Sequence, residues 1–186
     1  YSEYNGINKG REIIQFGRNN PVLHNFALKY CDRHEGVKYK FRNPDGYDMV
    51  EYSNGIFRDV GMITHRQNFI AMLRAASISL CSTPLADGTR DFGQGIDFFT
   101  ARWYESVACG CGIIARWTDL VKEELLITDM TKVAHNVSDY SEFEFWADKI
   151  MNGEEDSESK KLFLSRNNSR CRANEIYMDL KALGYH

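Results

Sequence analysis

The sequence predicts an α/β domain, a parallel sheet with helices on both faces, with residues 1–186 forming one unit. Three observations predict it. Short apolar runs alternate with stretches of helical periodicity, the order of successive β-α-β units. Gly, Asn, Asp and Pro punctuate the joints between them. The composition, 43% hydrophobic and 26% charged with abundant Tyr and Phe, suits a chain that buries a core and does not stay disordered. Right-handed crossovers would then place the helices on the two faces.

The elements follow in order. Glu12 to Phe16 reads as a buried strand ended by Gly17. Pro21 sits where a helix starts, and Val22, Phe26, Leu28 and Tyr30 carry that helix to about His34, closed by Gly36. Val37 to Phe41 alternates as a strand does, and Asn43-Pro-Asp-Gly46 is a turn. Tyr47 to Ile63 reads as irregular. His65 to Ala76 has an apolar helical stripe, and Ser77 to Ser82 is the next strand. Leu85 to Asp97, rich in Gly and Asp, is a loop. Phe99 to Cys109 returns to helical spacing with Gly110 as its stop, and Gly112 to Ala115 is a short strand. Thr118 would cap a helix to Leu125, and Lys132 to His135 is a weak strand. Ser141 and Glu144 form a capping-box pattern for another helix. After the charged patch Gly153 to Lys161, one long helix runs to about Leu183.

The net charge of −3 argues against a general nucleic-acid binder, which is usually clearly basic. No run approaches the ~18 apolar residues of a membrane span. The chain opens on Tyr1 and not on Met, so it is expected to come from a longer protein. Five cysteines, 31, 81, 109, 111 and 171, form no C-x-x-C pair and read as reduced, mostly buried thiols of a cytosolic protein. Cys109-Gly-Cys111 lacks the spacing of a zinc pair. Gly93-Gln-Gly95 lacks the third glycine of a dinucleotide fingerprint and does not follow the first strand. The glycosylation-type triplets at Asn136 and Asn167 carry no meaning in a cytosolic chain. No Ser-His-Asp order or nucleophile elbow is present, and His65 reads as structural or exposed.

Ligands of such sheets bind beyond the carboxyl ends of the strands. That rule selects the loops after Phe16, after Ser82 and before the Phe99 helix. The segment from Asp97 to Ile114 carries the most chemistry. Asp97 precedes the helix, and Glu105 stands about two turns into it. A helix start presents unpaired N–H groups and partial positive charge, suited to a pyrophosphate. Glu105 has the chemistry to accept from vicinal ribose hydroxyls, and Asp97 to do so for a sugar. Arg102 in the first turn is a permanent planar cation suited to phosphate. Asp87, Arg90 and Asp91 belong to a polar loop that either contacts the sugar or is solvated.

This segment resembles the carboxyl-terminal, donor-binding domain of GT-B-fold glycosyltransferases, closest to the group-one type and its spore-maturation-like relatives. Their E-x7-E motif, followed by A-C-G and an apolar strand, reads here Asp97-x7-Glu105, Ala108-Cys109-Gly110, Ile113-Ile114. Thr100-x-Arg102-x-x-Glu105 is similar to the spore-maturation-like branch, and Asp97 departs from the family's Glu. Phe16-Gly17-Arg18 matches the strand-Gly-Arg opening of the same domain, whose loop faces the donor phosphates. The passage Ala71 to Leu80 and the stretch Ser138 to Ile150 extend the likeness over most of the chain.

The resemblance implies a Rossmann-like sheet, one half of a GT-B fold, binding a nucleotide-diphosphate sugar for hexosyl or related transfer. It implies that Glu105 binds ribose, Asp97 the sugar, and backbone N–H groups near Phe99 and Thr100 the pyrophosphate, with Arg18, Gly17 and Arg102 beside the phosphates. It implies no metal and no other cofactor. A glycan or lipid-linked acceptor, and any catalytic base, would belong to an amino-terminal domain outside these residues, leaving this fragment able to bind donor without turnover. The full-length protein would then be cytoplasmic or peripheral at the inner membrane face. No catalytic residue is identified within the chain. The alternative is a catalytically silent module of the same type that binds a nucleotide or a protein partner. A receiver-type domain would need an acidic cluster after the first strand, where Phe16-Gly-Arg-Asn-Asn20 offers none.

Overall fold

Ile13 and Ile14 sit side by side in the first strand and bury their side chains on opposite faces of a sheet, so both faces must be covered by helices. The computed structural model describes residues 9–46, 48–88, 97–119 and 130–182. Its strands are β1 (Gly10–Gln15), β2 (Lys38–Arg42), β3 (Asp48–Ser53), β4 (Ile56–Met62), β5 (Ala76–Ser82), β6 (Gly112–Arg116) and β7 (Ala134–Asn136). They form one mixed, mostly parallel sheet in the order β4-β3-β2-β1-β5-β6-β7. The pairs β1–β2, β1–β5, β5–β6 and β6–β7 are parallel, while β2–β3 and β3–β4 are antiparallel.

The helices are α1 (Pro21–Arg33), α2 (Arg66–Ala75), α3 (Ala101–Ala108), α4 (Tyr140–Met151), α5 (Ser157–Arg166) and α6 (Ser169–Ala182). On one face, Leu23, Ala27 and Tyr30 of α1 and Phe143, Ala147 and Ile150 of α4 pack on Ile13, Tyr39, Ile78 and Ile114. The Tyr30 hydroxyl donates to Asp148 at 2.7 Å and ties the two helices together. On the other face, Trp103 and Val107 of α3 and Phe163 of α5 cover Ile113 and Ala115, while α2 covers Ile14 through Leu73. Each fully buried Leu, Ile, Val or Phe among them contributes about 1.5–3 kcal/mol relative to exposure.

The caps explain where helices begin and end. Asn20 accepts from Val22 and Leu23 N–H, and Pro21 has no N–H to satisfy, so α1 starts closed. Helix α3 ends in paired bonds, Gly110 N–H to Val107 and Cys111 N–H to Ser106, which turn the chain straight into β6.

Three findings differ from the sequence reading. Residues 48–62 are a β-hairpin, not an irregular stretch, turned by Asn54 and Gly55 at φ 49° and 78°. Both values are positive, the geometry of the tight hairpin turn that Asn-Gly favours. Helix α4 is capped two residues earlier than Ser141, at Asp139. Asp139 accepts from Glu142 N–H, and Glu142 accepts from the Ser138 N–H and hydroxyl. The carboxyl-terminal helix is two helices. Asn167 and Asn168 turn their amides onto the carbonyls of Phe163 and Ser165, and Asn168 also accepts from Cys171 N–H, so the chain leaves α5 and restarts as α6. The helix from Thr118 to Leu125 falls mostly on residues 120–129, outside the described residues.

β4 is the terminal strand, and all seven of its residues are exposed. Arg58 and Asp59 lie at its middle, and a register shift beside Val60 precedes Gly61 at φ 82°.

Candidate functional site

The chain leaves β1 toward β2 on one side and reaches β5 on the other, so the topology switches direction between β1 and β5. The loops beyond such a point diverge and leave a crevice. Here that crevice is a cleft of about 740 Å³, within the range of small-molecule sites. Its walls are the β1–α1 loop (residues 16–20), the β2–β3 turn at 42–44, the end of β5 and the start of α3. A second cleft of about 440 Å³ adjoins it, between the end of β4, the start of α2 and the outer side of α3.

Arg102 stands on the divide, lining both clefts. Its Nη1 donates to the Phe16 carbonyl at 2.8 Å. Gly17, at φ 83°, is required twice over. The backbone is left-handed, and an added Cβ would run into the Arg102 guanidinium. Arg18 and Thr100 line the first cleft. Thr100 is the N-cap of α3 but makes no side-chain capping bond. The two helix starts at this crevice therefore differ: α1 is closed by the Asn20 side chain, whereas the N-cap side chain of α3, Thr100, makes no capping bond.

Glu105 lines the second cleft, with Arg42, His65 and Arg66 as polar neighbours. Its Oε1 pairs with Arg66 Nη2 at 2.6 Å, and the Arg66 side chain is 71% exposed. Phe99 is buried in an aromatic cluster, its ring 4.6 Å from Trp103 and 6.1 Å from Trp117.

Asp97 lies elsewhere. It is fully buried. Its carboxylate accepts from the Thr83 hydroxyl at 2.7 Å, Leu85 N–H at 3.0 Å and the Thr118 hydroxyl at 2.6 Å. It binds three loop segments to one another and does not line either cleft. Of the polar loop, Asp87 is described and forms a fork with Arg116, Nε to Oδ2 at 2.5 Å and Nη2 to Oδ1 at 2.6 Å. Burial alone would push the Asp87 carboxyl up, but the Arg116 and Asn20 hydrogen bonds outweigh it and hold it below the usual range. Arg90, Asp91, Gly93 and Gly95 lie outside the described residues.

Sequence reasoning missed Gln15, Asn19 and Asn20 on the α1 side of the cleft. Gln15 is 1% exposed and lines the cleft, and Tyr39 donates its hydroxyl to Oε1 at 2.6 Å. A polar residue closing the apolar run Ile13-Ile14, and paired asparagines before Pro21, were the available signals. Cys81 also lines the cleft, and burial pushes its thiol up to about 12, which disfavours the thiolate. Among the described residues no group of three or more His, Cys, Asp and Glu side chains is placed to hold a metal ion, and no helix is long and apolar enough to cross a membrane.

Comparison of the chain with family models, with curated proteins and with solved structures finds no match. The functional reading therefore stands on the cleft and on the motif residues around it.

Proposed function

We propose that this chain is the donor-binding domain of a GT-B-type glycosyltransferase, taking a nucleoside-diphosphate sugar at the crevice between β1 and β5. One observation carries the reading: Gly17, Arg18, Thr100 and Arg102, drawn from two distant segments, line one cleft beside a helix start whose N-cap side chain makes no capping bond. A pyrophosphate fits that arrangement, since unpaired N–H groups and guanidinium forks both favour it. No metal is needed when fixed dipoles and arginines supply the charge. Glu105 in the adjoining cleft suits vicinal ribose hydroxyls, and reaching them means exchanging its ion pair with Arg66 for the ligand. Asp97, fully buried and bonded to Thr83, Leu85 and Thr118, serves this reading as the fastening of the loops around the site and not as a sugar contact. Acceptor recognition and any catalytic base are assigned to a separate domain, so these residues bind donor without transferring it.

The test is thermal unfolding with UDP, GDP, CDP and ADP, on wild type and on Glu105→Ala. A ligand at ~100 times its dissociation constant raises stability by about 2.7 kcal/mol. The expected result is a midpoint rise with one nucleotide that vanishes in the variant. No rise with any of the four would remove the reading.

A second reading, a catalytically silent module of the same type, is favoured by the occupied Asp97 carboxylate. It predicts nucleotide binding but no transfer or donor hydrolysis from the full-length protein.

A further inference from the structure

The cleft has two chemically different sides. The α3 side presents Arg102 and the helix start at Thr100, whose side chain makes no capping bond. The β1–α1 side carries Arg18 and, flanking it in sequence, the carboxamides of Gln15 and Asn19. Asn19 donates through Nδ2 to the Arg42 carbonyl at 2.7 Å. A carbonyl only accepts, so the amide orientation is fixed and Oδ1 is the end left over. That Oδ1 is buried with no hydrogen-bond partner among the described residues. An unsatisfied buried acceptor is expensive, and native proteins retain few of them. In the same cleft, Gln15 is almost wholly buried, and its Oε1 is engaged by Tyr39, which leaves its amino end as the donor.

We propose that Asn19 and Gln15 are specificity-determining residues that receive the neutral, hydroxyl- or acetamido-bearing glycosyl group of the donor. The inference rests on the donor-binding reading above and assigns that site a sugar subsite on the β1–α1 side. An acceptor and a donor lining one cleft match a group with several hydroxyls, each of which both gives and takes, or an acetamido group, with its N–H and C=O. Neither carboxamide carries charge, and an orphaned acceptor oxygen such as Asn19 Oδ1 offers nothing to a phosphate, whose oxygens also only accept. A site that leaves its own polar groups unpaired discriminates strongly against a ligand that cannot satisfy them.

The test is calorimetric titration of wild type, Asn19→Ala and Gln15→Met. UDP and GDP are compared with UDP-glucose, UDP-N-acetylglucosamine and GDP-mannose. Wild type is expected to bind a sugar conjugate more tightly than the bare diphosphate. Each variant is expected to lose about fivefold in affinity for that conjugate, the value of one neutral hydrogen bond, while its affinity for the bare diphosphate stays within twofold. The bare diphosphate also reports that the variant is folded. Equal losses for both ligands would mean a structural role and overturn the inference. Unchanged affinity for the conjugate would overturn it too and leave the donor-binding reading intact. Failure of wild type to bind any diphosphate or conjugate would overturn both.

Discussion

Asp97 and Glu105 are carboxylates on either side of the α3 start, yet the protein treats them in opposite ways. Asp97 is enclosed, and Thr83, Leu85 and Thr118 all donate to it. Glu105 sits at a cleft rim, and the pair given to its carboxylate is the exposed Arg66. A carboxylate whose acceptor positions are filled by several segments is a fastening, and removing it leaves buried donors unpaired. One held by a single solvated guanidinium gains little from that pair, since screening and side-chain entropy take most of it. It can therefore change partners. The sites of strongest bonding and the sites fit for exchange are thus different residues of one motif.

The largest effect is expected at the fastened end. Asp97→Ala should lower unfolding free energy by about 3 kcal/mol, read by urea denaturation, because buried donors lose a charged acceptor. A loss under about 1 kcal/mol would show that Asp97 is dispensable and erase the distinction. Gly17→Ala comes next, at roughly 2 kcal/mol, from left-handed strain and displacement of Arg102 from the Phe16 carbonyl. It should also weaken nucleotide binding, and binding at wild-type strength would show that Arg102 can leave Phe16 without consequence.

pH offers an intermediate effect from a different part of the molecule. His135 stacks on Trp146 at 3.6 Å, and burial, helped by the charges of Lys160 and Lys149, pulls its imidazole down to about 4. The unfolded ring takes up its proton near 6.5, the folded ring only near 4, so stability should fall as pH drops through that window and level off below it. The loss should be of order 1 kcal/mol, because the ring is only partly shielded from solvent. His135→Gln should flatten that part of the pH profile, and an unchanged slope would place the titrating group elsewhere. The smallest effect is Arg66→Ala. Stability should change by less than about 0.5 kcal/mol, while nucleotide affinity rises a few-fold as Glu105 is released. Weaker binding instead would make Arg66 a ligand contact and not a competitor.

Much of the framework was legible because both faces of the parallel strands are buried. The runs around Ile13-Ile14 and Ile113-Ile114 are apolar for that reason, while Ser77 to Ser82 alternates small serines with Ile78 and Leu80, and all three stood out against amphipathic helices. β4 was not legible by pattern, since an edge strand exposed along its whole length has no inward face to produce alternation. Asn54-Gly55 was its one local signal. Gly17, Arg18, Thr100 and Arg102 met as expected because strand-end loops of a parallel sheet converge on one edge. The burial of Asp97 depends on Thr83 and Thr118, which no local periodicity links to it. The roles of Asn19 and Gln15 likewise arise from contacts with Arg42 and Tyr39 on a neighbouring strand.

The exposed hairpin has a consequence for the chain as it is made and stored. β4 ends the sheet and presents Ile56, Phe57, Val60 and Met62 to solvent, an arrangement that would template the strand of another copy and seed aggregates. Its defences are local. Arg58 and Asp59 place charges at mid-strand, and the irregularity at Val60 and Gly61 bends the edge out of register. Protection of this edge is therefore concentrated in four consecutive residues, 58–61, that belong to none of the core clusters and line neither cleft.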